Sequence, residues 1–127
     1  MTVDTSAVLA ILFAEPDAER YARAISNAPV CRMSVATFVE SPSSWKRAIA
    51  AAVNGISFSS RAGFALEPVT KEQAYAARQA RSGVGKGRSP AKLDFGDCFS
   101  YALARTLGEP PLFKSADFSR TDVSSAI

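Results

Sequence analysis

The chain has 127 residues, a length that fits one domain over 1–127 and leaves no room for a second. With 47% hydrophobic residues and a formal net charge of +3, it has the apolar material for a packed core and no charge block that would argue for disorder. It contains no histidine, which excludes a Ser-His-Asp triad, a Cys-His pair and a His-bearing zinc site within this chain, and leaves acid–base or metal chemistry to carboxylates, Lys, Tyr or Cys.

Residues 1–3 read as a short buried strand that stops at Asp4, after which Ser6 is the expected cap of a helix over 7–13. Pro16 suits the first turn of a second helix over 17–26, with Asp17 and Glu19 early and Arg20 and Arg23 later, as the helix dipole favours. A strand is expected over 30–33, then Ser34 as the cap of a helix over 35–40. Pro42 predicts a break, and a further helix over 45–53, bearing Trp45, Ile49 and Val53 as an apolar stripe, closes at Asn54-Gly55. The stretch 56–63 is Ser-rich and weakly patterned. A strand over 64–69 leads to Thr70 and Gln73, a capping-box pattern opening a helix to about Ala80. Residues 81–90 form a Gly-rich basic loop, Asp94 caps a helix over 95–107 closed by Gly108, and a last strand over 111–114 precedes a polar tail over 115–127. Short strands alternating with helices predict an α/β domain with a mostly parallel sheet.

The cysteines, Cys31 and Cys98, form no CxxC pair and read as small buried hydrophobes in a reducing compartment. No basic segment precedes the apolar run after Asp4, and the run is too short to span a bilayer; a soluble, cytoplasmic protein without a membrane partner is the expectation. In open α/β sheets, sites form beyond the carboxyl ends of the strands. Asp4 ends the first strand and Asp117 follows the last, while Glu40 and Asp97 lie near helix starts. Carboxylates with no His or Cys among them make a hard-oxygen site that suits Mg²⁺ or Mn²⁺. Crowding them is expected to raise the pKa of at least one.

Four segments carry a resemblance: VDTSAVLAILFAEPDAE, SVATFVE, KLDFGDCFSYALARTLGEP and PLFKSADFSRTDV. In this order and spacing, from Met1 to about Val123, the chain is similar to the PIN-domain ribonucleases, and most of all to the VapC toxins of bacterial toxin–antitoxin pairs. The resemblance implies a three-layer α/β/α sandwich with a short, mostly parallel central sheet, and a Mg²⁺- or Mn²⁺-dependent endoribonuclease acting on RNA. It also implies a homodimer and a cognate VapB-type antitoxin that inserts a segment into the active groove and carries the DNA-binding module, so that DNA is met only indirectly. Residue by residue, Asp4, Glu40 and Asp97 match the family's acidic metal positions, and Ser6 matches its small hydroxyl residue. Relatives carry Lys-Gly-Asp-Asp-Phe or Lys-Gly-Asn-Asp-Phe where this chain has Lys114-Ser115-Ala116-Asp117-Phe118, which makes Asp117 the surviving fourth carboxylate. Pro42 is a second departure, inside a helix that similar proteins continue.

Plainer readings stand beside these. Asp4 could be a strand-end cap, Glu40 a solvated helix residue, Asp94 an N-cap and Asp97 an anion favoured by the helix dipole. The basic residues Arg81, Lys86, Arg88 and Lys92 suit phosphates but lack the Walker A frame. No DNA-reading motif is present, and +3 is a small charge for nucleic-acid binding by itself. Two alternatives stay open: a degenerate PIN domain that binds antitoxin or RNA without efficient cleavage, and an unrelated phosphoacceptor-like module with Asp4 in an acidic pocket.

Overall fold

The structure, a computed structural model, describes residues 1–40, 63–82 and 93–127. The break expected at Pro42, the helix over 45–53, nearly all of the Ser-rich stretch and the basic loop beyond Ser82 lie outside the described residues.

Four strands, β1 (Thr2–Val3), β2 (Val30–Ser34), β3 (Gly63–Glu67) and β4 (Pro111–Leu112), form one all-parallel sheet in the order β3-β2-β1-β4. The described helices are α1 (Thr5–Leu12), α2 (Ala18–Asn27), α3 (Val35–Glu40), α4 (Lys71–Ser82) and α5 (Phe95–Leu107). A parallel sheet needs its crossovers to cover both faces, and the side-chain alternation of the strands shows how each is covered. Val3, Cys31, Met33 and Leu112 point to one face and make a core with Ala7, Val8, Ala10, Tyr21 and Ile25 of α1 and α2. On the other side, Ala77 of α4 and Cys98, Tyr101 and Ala102 of α5 form a second cluster with Leu93 and Phe118. The result is the α/β/α sandwich expected from the sequence.

The strand order reverses at β1, whose neighbours are β2 on one side and β4 on the other. The crevice at that switch point opens beyond the carboxyl ends of β1 and β4, where Asp4 and the segment after Leu112 lie.

The cap of α1 differs from expectation. Asp4, not Ser6, is the N-cap, and the helix begins at Thr5 because the Asp4 side chain accepts from the Ser6 N–H. Helix α5 matches its expected bounds, with Asp94 capping and Gly108 closing it in the left-handed region at φ 64°. The basic residue Arg81 lies in the last turn of α4 rather than in a loop.

The tail is not merely polar. Phe118, in a 3₁₀ turn (Phe118–Arg120), is fully buried and stacks on Phe113 with ring centroids 4.7 Å apart. Tyr101 donates to Asp122 at 2.7 Å, and the Ala126 N–H donates to the Pro111 carbonyl at 3.0 Å, which docks the rest of the tail. Among the described residues no helix is long and apolar enough to cross a membrane.

Phe118→Ala opens a cavity under the β4 end and should cost about 3–5 kcal/mol of unfolding free energy in urea melts. Ala14 sits at φ 49°, a left-handed conformation that is unfavourable for alanine, so Ala14→Gly should be neutral or stabilise by up to about 1 kcal/mol. Ala10→Gly inside α1 should instead destabilise by about 1 kcal/mol or more in the same assay.

Candidate metal centre

Asp4 is fully buried at the end of β1, and its backbone N–H donates to the Leu112 carbonyl of β4 at 2.9 Å. One oxygen is fully engaged: Oδ2 accepts from the Ser6 N–H at 2.9 Å and from Ser6 Oγ at 2.6 Å. The other, Oδ1, is buried with no hydrogen-bond partner. Leaving such an oxygen unsatisfied costs on the order of 1–3 kcal/mol, more if it is charged. Ser6 Oγ in turn accepts from the Lys114 N–H at 3.0 Å, which ties the segment after β4 to the end of β1.

Asp97 lies in the first turn of α5. Its N–H donates to Asp94 Oδ1 at 2.8 Å, and its Oδ2 accepts from the Asp94 N–H at 3.2 Å, a reciprocal capping box. The residue is 9% exposed. Its carboxyl is pushed up to about 7, first by burial, then by the nearby acids Asp4 and Asp94 and more weakly Asp117; the Asp94 N–H works against them. Asp97 is thus the carboxyl that the burial and the nearby acids raise, as the crowding argument expects of at least one.

Asp117 is half-buried at the start of the 3₁₀ turn, and its N–H donates to Ser115 Oγ at 3.2 Å. Ala116 beside it is exposed. Glu40 is the last residue of α3, one turn beyond Thr37; its side chain lies outside the described residues. Glu40, expected near a helix start, is the sixth residue of α3 and the last of it among the described residues.

Residues the sequence did not single out hold α3 in place. The buried Thr37 hydroxyl donates to the Gly96 carbonyl at 3.2 Å and lies 3.3 Å from Ser100 Oγ, joining α3 to the turn of α5 that carries Asp97. Thr37 stands in SVATFVE and Ser100 in DFGDCFSYALA, but a hydroxyl on a helix gives no signal until its partner helix is known.

Among the described residues no Lys or Arg forms an ion pair with Asp4, Asp94, Asp97 or Asp117. Lys114, next to the crevice, is engaged by Glu15 and, at 2.6 Å, by Asp17. Among the described residues no group of three or more Asp, Glu or Cys side chains stands together as a metal site; the Glu40 side chain is outside them. An orphaned buried Asp4 oxygen, a carboxyl held up by neighbouring acids and an all-oxygen donor set fit a hard divalent cation such as Mg²⁺ or Mn²⁺.

The family model described as PIN domain matches residues 1–124. The chain is 45% identical over 132 residues to "Ribonuclease VapC28" of Mycobacterium tuberculosis, covering 100% of this chain and 98% of the relative. It is 44% identical over 136 residues to "Ribonuclease VapC" of Mycolicibacterium smegmatis, with 98% of each chain covered. To "Ribonuclease VapC30" of Mycobacterium tuberculosis it is 41% identical over 136 residues, covering 98% of this chain and 97% of the other.

The raised Asp97 carboxyl makes stability depend on pH. Between the ordinary 3.8 and about 7, the folded protein holds a proton that the unfolded chain has released, so stability falls as pH rises through that window and stays low above it. Asp97→Asn keeps a capping oxygen and removes the charge. In EDTA it should unfold later than the parent at about pH 8, by an amount on the order of 3 kcal/mol, and unfold alike near pH 4. Equal stabilities at both values in denaturant melts would remove Asp97 from the acid cluster.

Proposed function

The chain belongs to the PIN-domain family, with VapC ribonucleases among its relatives, and on that footing we propose that it is a metal-dependent endoribonuclease, the toxin of a toxin–antitoxin pair. The observation that carries the reading is the buried Asp4 oxygen without a hydrogen-bond partner among the described residues, together with an Asp97 carboxyl raised by burial and by the charge of Asp4 and Asp94. In this reading one domain over 1–127 binds RNA, a VapB-type antitoxin covers its groove, and DNA is reached only through that antitoxin. A homodimer in the cytoplasm completes it.

Asp4, Asp97 and Asp117, together with Glu40, would hold Mg²⁺ or Mn²⁺. A divalent ion bound there supplies neutralisation of charge developing on a phosphodiester and eases the ionisation of water. The protein's part is orientation. Ser6 fixes Asp4 through Oδ2, which leaves Oδ1 as the oxygen a cation would take. The capping box fixes Asp97, and the Thr37 and Ser100 hydroxyls fix the helix that carries Glu40. The engagement of Lys114 with Glu15 and Asp17 keeps its ammonium from closing the acid cluster as an internal salt bridge.

Ala116 favours a second reading, a PIN domain that binds without efficient cleavage, because relatives carry Asp or Asn there. The phosphoacceptor-like module is set aside by the family match over 1–124. Purified, antitoxin-free protein should cut total RNA into discrete fragments with Mg²⁺ or Mn²⁺ and not with EDTA. Asp4→Asn and Asp97→Asn should each lower the rate by on the order of a hundredfold or more. Cleavage that persists in EDTA contradicts the metal-dependent mechanism, and a folded parent with no cleavage favours the binding module.

A further inference from the structure

We propose that the groove between α4 and α5 is a subsite for a base of single-stranded RNA beside the cleaved phosphodiester, with Phe95 as its stacking surface and Arg78 and Arg81 as its phosphate contacts; this rests on the ribonuclease reading above.

Phe95 is the first residue of α5 and is 48% exposed, although a whole aromatic ring is costly to leave in water. It borders a groove of about 490 Å³ whose floor is Ala74, Ala77, Cys98 and Phe99. The two alanines of α4 leave this space open, where larger side chains would have filled it. Phe99, one turn on from Phe95, meets it edge-to-face with centroids 4.9 Å apart and so fixes the ring's orientation. The Arg81 guanidinium lies over the Phe95 ring at 5.7 Å, and such stacking leaves its N–H donors available. Arg78 lines the same groove three residues earlier on α4.

The charge pattern selects the occupant. Among the described residues, Arg23, Arg32 and Lys114 are in ion pairs, whereas Arg78 and Arg81, like Arg20, Lys71, Arg105 and Arg120 elsewhere, are in none; of these only Arg78 and Arg81 line this groove. Among the described residues no carboxylate lines the groove. An apolar floor, a flat exposed ring and two guanidinium groups outside any ion pair suit a polyanion that carries planar groups, the pattern by which single strands are held without sequence readout. An acidic peptide would satisfy the arginines but gives no use to the ring's flat face. Position adds to this. Phe95 and Asp97 are two residues apart on the first turn of α5, so the groove's ring and the acid lie at the same positive end of the helix.

The test uses full-length Asp97→Asn protein with Mg²⁺, so that RNA is bound without being consumed, and a short fluorescein-labelled random-sequence single-stranded RNA read by anisotropy. Adding Phe95→Leu, which keeps apolar bulk but not the ring, should weaken binding about tenfold, and Phe95→Trp should restore it. Arg81→Gln should lower the slope of log affinity against log salt by about 0.7, the change expected when one fewer phosphate of a single strand is neutralised. Unchanged Tm values show that each variant is folded, and Arg81→Gln, at an exposed position, serves if Phe95→Leu is not. Binding unaffected by both changes overturns the subsite, whether the groove is idle or takes a peptide. The two proposals fail separately: a parent that cuts RNA equally well with Phe95→Leu keeps the nuclease and loses the subsite. A parent whose RNA binding needs Phe95 but which never cuts keeps the subsite and loses the nuclease.

Discussion

The molecule is organised around one unbalanced group, the Asp4 carboxyl buried at the end of the central strand. Ser6 satisfies one of its oxygens and nothing satisfies the other. Sheet topology makes the burial unavoidable: β1 has neighbours on both sides, α1 starts immediately after it, and α5 lies over the far face. The same serine reaches the Lys114 N–H, so the hydroxyl that orients Asp4 also seats the segment bearing Asp117. An error at Ser6 would therefore disturb two acids at once.

The first turn of α5 carries a comparable tension. Asp94 and Asp97 hold each other in a capping box, an arrangement that ordinarily stabilises a helix by satisfying its orphan N–H groups. Here the N3 acid is also buried beside Asp4, and its carboxyl is pushed up to about 7 by that burial and by its acidic neighbours. Helix-capping geometry thus supplies rigidity, while electrostatics stores instability that a bound cation would relieve. A site that is rigid and under-charged with cations is suited to binding one without moving.

Where local chemistry decides, the sequence is informative. Asp94 and Gly108 mark α5 to the residue because a cap and a left-handed stop are local events, and Ser34 announces α3 for the same reason. The cap of α1 is harder to place, because a strand that runs straight into a helix leaves Asp4 to serve both. The tail reads as polar because Phe118 stands alone among Ser, Asp and Arg, with no periodicity to mark it as core. Its burial depends on Ala77, Leu93 and Tyr101, residues far away in sequence. The same holds for the acids. Their spacing along the chain is uninformative, and their identity comes from the resemblance. That Asp97 of α5 feels Asp4 at the end of β1 and Asp117 after β4 depends on the strand order β3-β2-β1-β4, which no local pattern contains. Thr37 and Ser100 are invisible in the sequence for that reason too.

Ala116 and Asp117 sit in different dielectric surroundings. Of these two adjacent positions, 116 is exposed and 117 is half-buried and felt by Asp97. Charge at an exposed position is screened by water and contributes little to a buried neighbour, whereas charge at a half-buried one acts through a lower dielectric. Replacing an exposed acid by alanine therefore removes the weaker of two contributions. Ser115 supports the stronger one, since its hydroxyl accepts from the Asp117 N–H and holds the turn.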